Sequence, residues 1–72
     1  MADWTPTPES SHVAAIKYEP DTQDLFVEFT DGSQYQYFDV PQNVFDEFSG
    51  HTSKGRYVNI VLRRRYKYQK IG

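Results

Sequence analysis

Seven residues in the last third of this 72-residue chain have the chemistry to hold a polyanion: Lys54, Arg56, Asn59, Arg63, Arg64, Arg65 and Lys67. Lys and Arg neutralise phosphates and release their counterions, which gives affinity without sequence preference. On a helix, Arg56, Asn59 and Arg63 are spaced by three and four residues and so share a face. An Asn placed there can hydrogen-bond a base edge or a phosphate. Tyr66 and Tyr68 alternate with the cations of RRRYKY, and aromatic rings give unpaired bases a platform. The expected activity is therefore salt-sensitive binding of RNA, single-stranded or tRNA, or of another polyanion, through this segment.

The net charge of −2 conceals how the charge is laid out. All ten acids and a single base, Lys17, precede residue 51, whereas the last 22 residues hold seven bases and no acid. Such asymmetry between halves suggests a nucleic acid or a charged surface as partner. It also has plain uses: a solvated helix face, cations set against a helix dipole, or a basic end folded over an acidic half. The rival function is a protein-interaction module, for a different partner or a second copy, with Phe26 and Phe38 as an apolar patch on an outer sheet face.

Other chemistry has less to stand on. Ser53-Lys54-Gly55-Arg56 opens a helix, where exposed amides favour anions, but it lacks the flanking glycine and spacing of a P-loop. Ser53 is expected to cap the helix. His12 and His51 are 39 positions apart with no cysteine in the chain, so no metal-ligand spacing is present, and neither a metal nor any other cofactor is expected. Asp46 and Glu47 point in different directions on a helix. The chain is expected to be non-enzymatic. No run approaches the roughly 18 apolar residues of a membrane span, and no signal peptide pattern opens the chain, so a cytoplasmic protein is expected.

These groups must be positioned by a small fold. Residues 1–10, MADWTPTPES, read as a flexible tail, and residues 11–72 as one domain. A domain of that size buries about 60% of its unfolded surface. It has no cysteine, but five Phe, six Tyr and one Trp supply large buried areas. The fold class predicted is α+β: a three-stranded antiparallel β-meander followed by two helices packed on one face. The first strand covers 12–19, with Val13 out of step with the alternation of Ile16 and Tyr18. The second covers 24–30 and the third 33–39, joined at Asp31-Gly32. A three-residue loop, with Gly32 left-handed, sets Val27 opposite Tyr35 and Leu25 opposite Tyr37, gathering the apolar residues on one face. A one-residue slip would turn the tyrosines outward. Core packing for Tyr35 and Tyr37 is therefore favoured over base stacking.

Asp39 and Gln42 suggest a capping box for a first helix that buries Val40, Pro41, Val44, Phe45 and Phe48 and ends at Gly50. A second helix, from about Lys54 to Arg63 or Arg64, places Tyr57, Val58, Ile60, Val61 and Leu62 toward the core. Uniform helical rotation would carry Arg64 and Arg65 back into that core, so the helix is expected to stop there, with the remainder extended.

The order SS at 10–11, a strand ending in DG, YQY at 35–37, VP at 40–41, SKGRYVN at 53–59 and RRRYKY at 63–68 resembles the KTSC domain. That module is named for its place at the C-terminus of some lysyl-tRNA synthetases, and it also occurs as a free-standing protein of bacteria and phages. The resemblance covers residues 10–71. It implies a shared fold, and RNA binding has been suggested for the family. The positions carried over are Tyr35, Tyr37, Ser53, Lys54, Gly55, Tyr57, Asn59 and Tyr66. No synthetase segment lies in these 72 residues, so no aminoacylation is expected.

Overall fold

The computed structural model describes residues 3–72. Its core element is a five-stranded antiparallel sheet in sequential order: β1 Thr5–Pro6, β2 Val13–Glu19, β3 Asp24–Phe29, β4 Gln34–Tyr37 and β5 Tyr68–Lys70. Between β4 and β5 the chain forms α1, Gln42–Ser49, and a second helix, α2, over residues 54–65. The α+β class stands, but the three-stranded meander is corrected to five strands. Both extra strands lie on the sheet edges and are too short to show a periodic pattern.

The edges revise two further expectations. The segment read as a tail pairs with β2, Thr5 opposite Ile16 and Pro6 opposite Ala15. Thr7 is buried, with its hydroxyl donating to the Val13 carbonyl at 2.6 Å. Trp4 meets Phe26 edge-on at 6.4 Å on the outer sheet face, and the Lys17 ammonium lies 4.5 Å from the Phe26 ring. Phe26, offered as half of an apolar docking patch, is thus partly covered from within the chain. At the other edge β5 pairs with β4, Tyr68 opposite Tyr37 and Lys70 opposite Tyr35.

The hairpin register is the one that burial of apolar area favours. Leu25 pairs with Tyr37 and Val27 with Tyr35. The Phe29 amide donates to the Ser33 carbonyl at 2.8 Å, and Gly32 closes the loop at φ 93°, a conformation open to glycine without a Cβ penalty. In β2 the irregular entry is a register shift between Val13 and Ala15. This bulge lets Val13 join Ile16 and Tyr18 in the core.

Asp39 does not cap α1. It adopts φ 57°, a left-handed conformation that Asp tolerates better than most residues. The resulting bend drives Val40 fully into the core, where its N–H donates to Gln23 and its carbonyl accepts from the Tyr18 hydroxyl. Pro41 takes the cap position without a side-chain cap bond. Phe48 is completely buried, and its ring centre lies 5.5 Å from that of Tyr57 in α2. Phe45 stacks on Tyr18 at 4.5 Å.

α2 is not a uniform helix. Its middle, Val58–Leu62, is a π turn in which the Arg63 amide reaches back to the Val58 carbonyl. One residue inserted this way rotates everything after it by about 100°. Tyr66, half-buried, therefore takes the core-facing angle that uniform rotation would give Arg65. Arg64 and Arg65 stay exposed, the helix runs to Arg65, and Tyr66 turns extended. Ile60, expected on the core side, is half-exposed. It lies on the flank of an arc centred on Tyr57, Val58 and Leu62.

At Gly55, α2 packs tightly against His12, the residue before β2. A Cβ there would meet the His12 Cβ at 2.9 Å, with two ring atoms at 3.3 and 3.4 Å. Gly55→Ala is expected to lower stability by about 1–3 kcal/mol, the usual cost of overpacking, read from urea unfolding followed by circular dichroism.

Candidate functional site

The π turn also sets the direction of Arg63, which follows it. Arg56, Asn59 and Arg63 are exposed and follow one another along a groove between α2 and the β3–β4 hairpin. One cleft of about 440 Å³ is lined by His12, Phe29, Gly55, Arg56 and Asn59. The next, about 310 Å³, shares Phe29 and Asn59 with it and continues to Arg63. Its far wall is aromatic: Tyr35, Tyr37 and Tyr68, with Asp31 and Ser33 at the hairpin end.

This wall exists because β5 adds a third tyrosine to the Y-Q-Y pair. Tyr68 meets Tyr35 edge-on at 6.0 Å and lies tilted against Tyr37 at 5.6 Å. Tyr37 is buried, and Tyr35 is half-buried. Burial, with Tyr68 and Tyr35 beside it, pushes the Tyr37 phenol up to about 12, against a smaller opposing pull from Arg63. Tyr37 is thus a neutral hydrogen-bonding group throughout the physiological range. Core packing and cleft lining, treated from the sequence as alternatives, coincide: Tyr37 is a core residue whose ring also lines the cleft.

Asp31 is a charged acceptor at the cleft's end. Its Oδ1 accepts from both the amide and the hydroxyl of Ser33, at 2.9 and 2.6 Å. Those bonds, helped by the charge of Lys70, hold its carboxyl below the usual range. Lys70 was not among the sequence candidates. The register that sets it opposite Tyr35 brings it to this end of the cleft, and only the β4–β5 pairing could have disclosed it.

Not all the sequence candidates converge. Lys54 is buried at 3% exposure. Its ammonium donates to Glu9 at 2.8 Å and to the His51 carbonyl at 3.1 Å, so it clasps the N-terminal segment to α2. Arg65 faces the other flank of α2, where it acts with Glu47 and Tyr66 on the charge environment of Tyr57. Arg64 and Lys67 are exposed and line neither cleft. Ser53 holds the cap position of α2, but its side chain makes no cap bond; its N–H donates to His51 Nδ1. Gly55 allows the close approach to His12, Tyr57 packs in the core, and Tyr66 packs against the core's edge.

The clasp has a pH signature. The hydrogen bond from Lys54 holds the Glu9 carboxyl below its ordinary value, so folding favours its charged form. That contribution is complete at neutral pH and is lost as pH falls through the lowered value. Glu9→Gln is expected to lower the melting temperature at neutral pH, with the gap to wild type closing on acidification below the carboxylate range.

Among the described residues, no group of three or more His, Cys, Asp or Glu side chains could hold a metal ion. No helix is long and apolar enough to cross a membrane.

Comparison with known proteins agrees with the geometry. A model of the KTSC domain family matches residues 9–66. A lysine--tRNA ligase of a Nostoc species is 42% identical over 64 residues, 89% of this chain and 11% of that protein. The chain thus spans about a tenth of the length of the ligases it matches. A protein of Tsukamurella paurometabola is 41% identical over 59 residues, covering 82% of this chain and 88% of its own length. The crystal structure of a KTSC domain protein from Yersinia pestis superposes with a TM-score of 0.91 and 32% identity over the whole of both chains. With Y-Q-Y and S-K-G-R-Y-V-N meeting across one groove, in a fold shared end to end with that structure, this chain belongs to the KTSC domain family.

Proposed function

We propose that this small α+β domain is a non-enzymatic module that binds single-stranded nucleic acid, RNA foremost, in the groove along α2. The observation that carries this reading is the alignment of Arg56, Asn59 and Arg63 opposite the tyrosines of β4 and β5. Cations along one wall suit a phosphate backbone, and aromatic rings on the other suit unstacked bases. Arg64 and Lys67, exposed at and just beyond the end of α2, add to the positive charge nearby. Two features named from the sequence are used otherwise: Lys54 is committed to Glu9, and Arg65 to the opposite flank of α2. The matching of this domain to part of several lysine--tRNA ligases is consistent with an RNA ligand.

Fluorescence anisotropy with single-stranded RNA, tRNA and duplex DNA across a salt series tests the reading. Engagement of about four phosphates gives a log–log slope near −3 on a single strand. Duplex DNA is expected to bind more weakly, because its bases cannot reach the tyrosines. Absence of binding to every nucleic acid at low salt would refute it.

A further inference from the structure

The cleft at the Tyr35 end of the groove differs from the rest of it. It is base-sized, aromatic on one side, and carries an acceptor that a phosphate would avoid. A volume of about 310 Å³ is at the lower end of small-ligand pockets, enough for one planar group and too small for a stretch of chain. Asp31 lines this cleft, and its carboxylate is held in the charged form by Ser33. Ser33 takes Oδ1 twice, through its amide and its hydroxyl, so Oδ2 keeps its acceptor capacity. A carboxylate repels a phosphate oxygen but accepts from an exocyclic amine of a base. Across the cleft, Asn59 can donate and accept at once, the pairing that suits a base edge. Arg63 is the cation among the residues lining it, while Lys70 favours the charged form of Asp31.

We propose that this cleft receives one unpaired nucleobase bearing an exocyclic amine, packed against Tyr35 and Tyr68. Asp31 accepts from the amine, Asn59 reads the adjoining edge, and Arg63 holds the phosphate of the same nucleotide. Uracil, which has no exocyclic amine and offers a carboxylate only an N3–H flanked by two carbonyl oxygens, is disfavoured by the Asp31 carboxylate. The proposal rests on the groove binding single strands. It adds a preference among bases to a reading that by itself has none.

The test compares uridine, adenosine, cytidine and guanosine oligomers of one length in the same salt, with wild type, Asp31→Asn and Asn59→Ala. Asn at 31 can still accept from Ser33, and residue 59 is exposed, so both variants are expected to fold. For wild type, the uridine oligomer is expected to bind between about fivefold and a hundredfold more weakly than the best of the others, the scale of one hydrogen-bonded base contact. Asp31→Asn should narrow that gap by allowing a uracil carbonyl to be bound. Asn59→Ala should weaken the amine-bearing oligomers while leaving the salt slope unchanged. Equal affinity for all four oligomers, with an intact salt slope, would overturn the base pocket and leave the groove standing. Failure of every oligomer to bind would overturn both.

Discussion

Phe48→Ala is expected to remove about half of the domain's stability and to bring it close to its unfolding threshold. Phe48 is completely buried, with Leu25, Leu62, Val13, Val27 and Val40 as the other large side chains sealed from solvent. It joins α1 to α2 through Tyr57 and to the sheet through the common core. Truncating a buried Phe to Ala costs about 3–5 kcal/mol in transfer and cavity terms. A domain of this length has about 4–10 kcal/mol in total, with no disulfide to compensate. A large drop in the urea midpoint and in the melting temperature, followed by circular dichroism, would register the effect. Val44→Ala, half-buried on the same helix, should cost distinctly less. Similar losses at the two positions would show that α1 is not anchored through Phe48.

The second large effect concerns binding. Replacing Arg63, Arg64 and Arg65 together with Ala is expected to weaken binding severely at physiological salt and to flatten the residual slope toward about −1.5, since two of roughly four phosphate partners, Arg63 and Arg64, are lost. All three are exposed, so the fold should be nearly unaffected, surface changes usually falling within about 0.5 kcal/mol. Lys17→Ala removes one charge from the outer sheet face, beside Trp4 and Phe26, and should leave binding unchanged. Within the triple, Arg63 should account for the largest share, because it lines the tyrosine cleft while Arg65 faces the Tyr57 flank. Equal losses from three single replacements would indicate a diffuse basic patch and no groove.

What the sequence disclosed follows from where physical signals are strong. The β3–β4 register was legible because one choice buries Leu25, Val27, Tyr35 and Tyr37 together and the other does not. The apolar arc of α1 was legible for the same reason. The shortest elements were not. Thr5–Pro6 and Tyr68–Lys70 hold too few residues to show alternation, and their pairing depends on edges that exist only once the central strands have formed. The capping box at Asp39 was a correct local pattern overridden by tertiary demand, since a left-handed Asp39 delivers Val40 to the core. The π turn left no sequence mark. It rearranged the site, bringing Tyr66 toward the core and keeping Arg64 and Arg65 out of it.

Lys54 teaches a related point about charge. A lysine in a basic block reads as part of a binding surface, and only the return of residues 5–9 along β2 shows that it has an internal partner in Glu9. Lys70 is the converse: it looked like an end-of-chain cation, and strand pairing sets it beside the cleft. The α+β class and the family were legible in the sequence, and the two edge strands were not. The separation of clasping from groove-facing cations came from the structure.

The central claim is that ligand meets the groove between α2 and the tyrosines of β4 and β5. Titration of isotopically labelled protein with a short single-stranded RNA, followed by amide chemical-shift mapping, tests it most directly. The expected result is movement of the Asn59 side-chain amide and of the backbone amides of Arg56, Arg63, Tyr35 and Tyr68, with Lys17, Phe26 and Gln36 unmoved. Shifts gathered on the outer sheet face around Phe26, or no shifts at saturating RNA, would contradict the account.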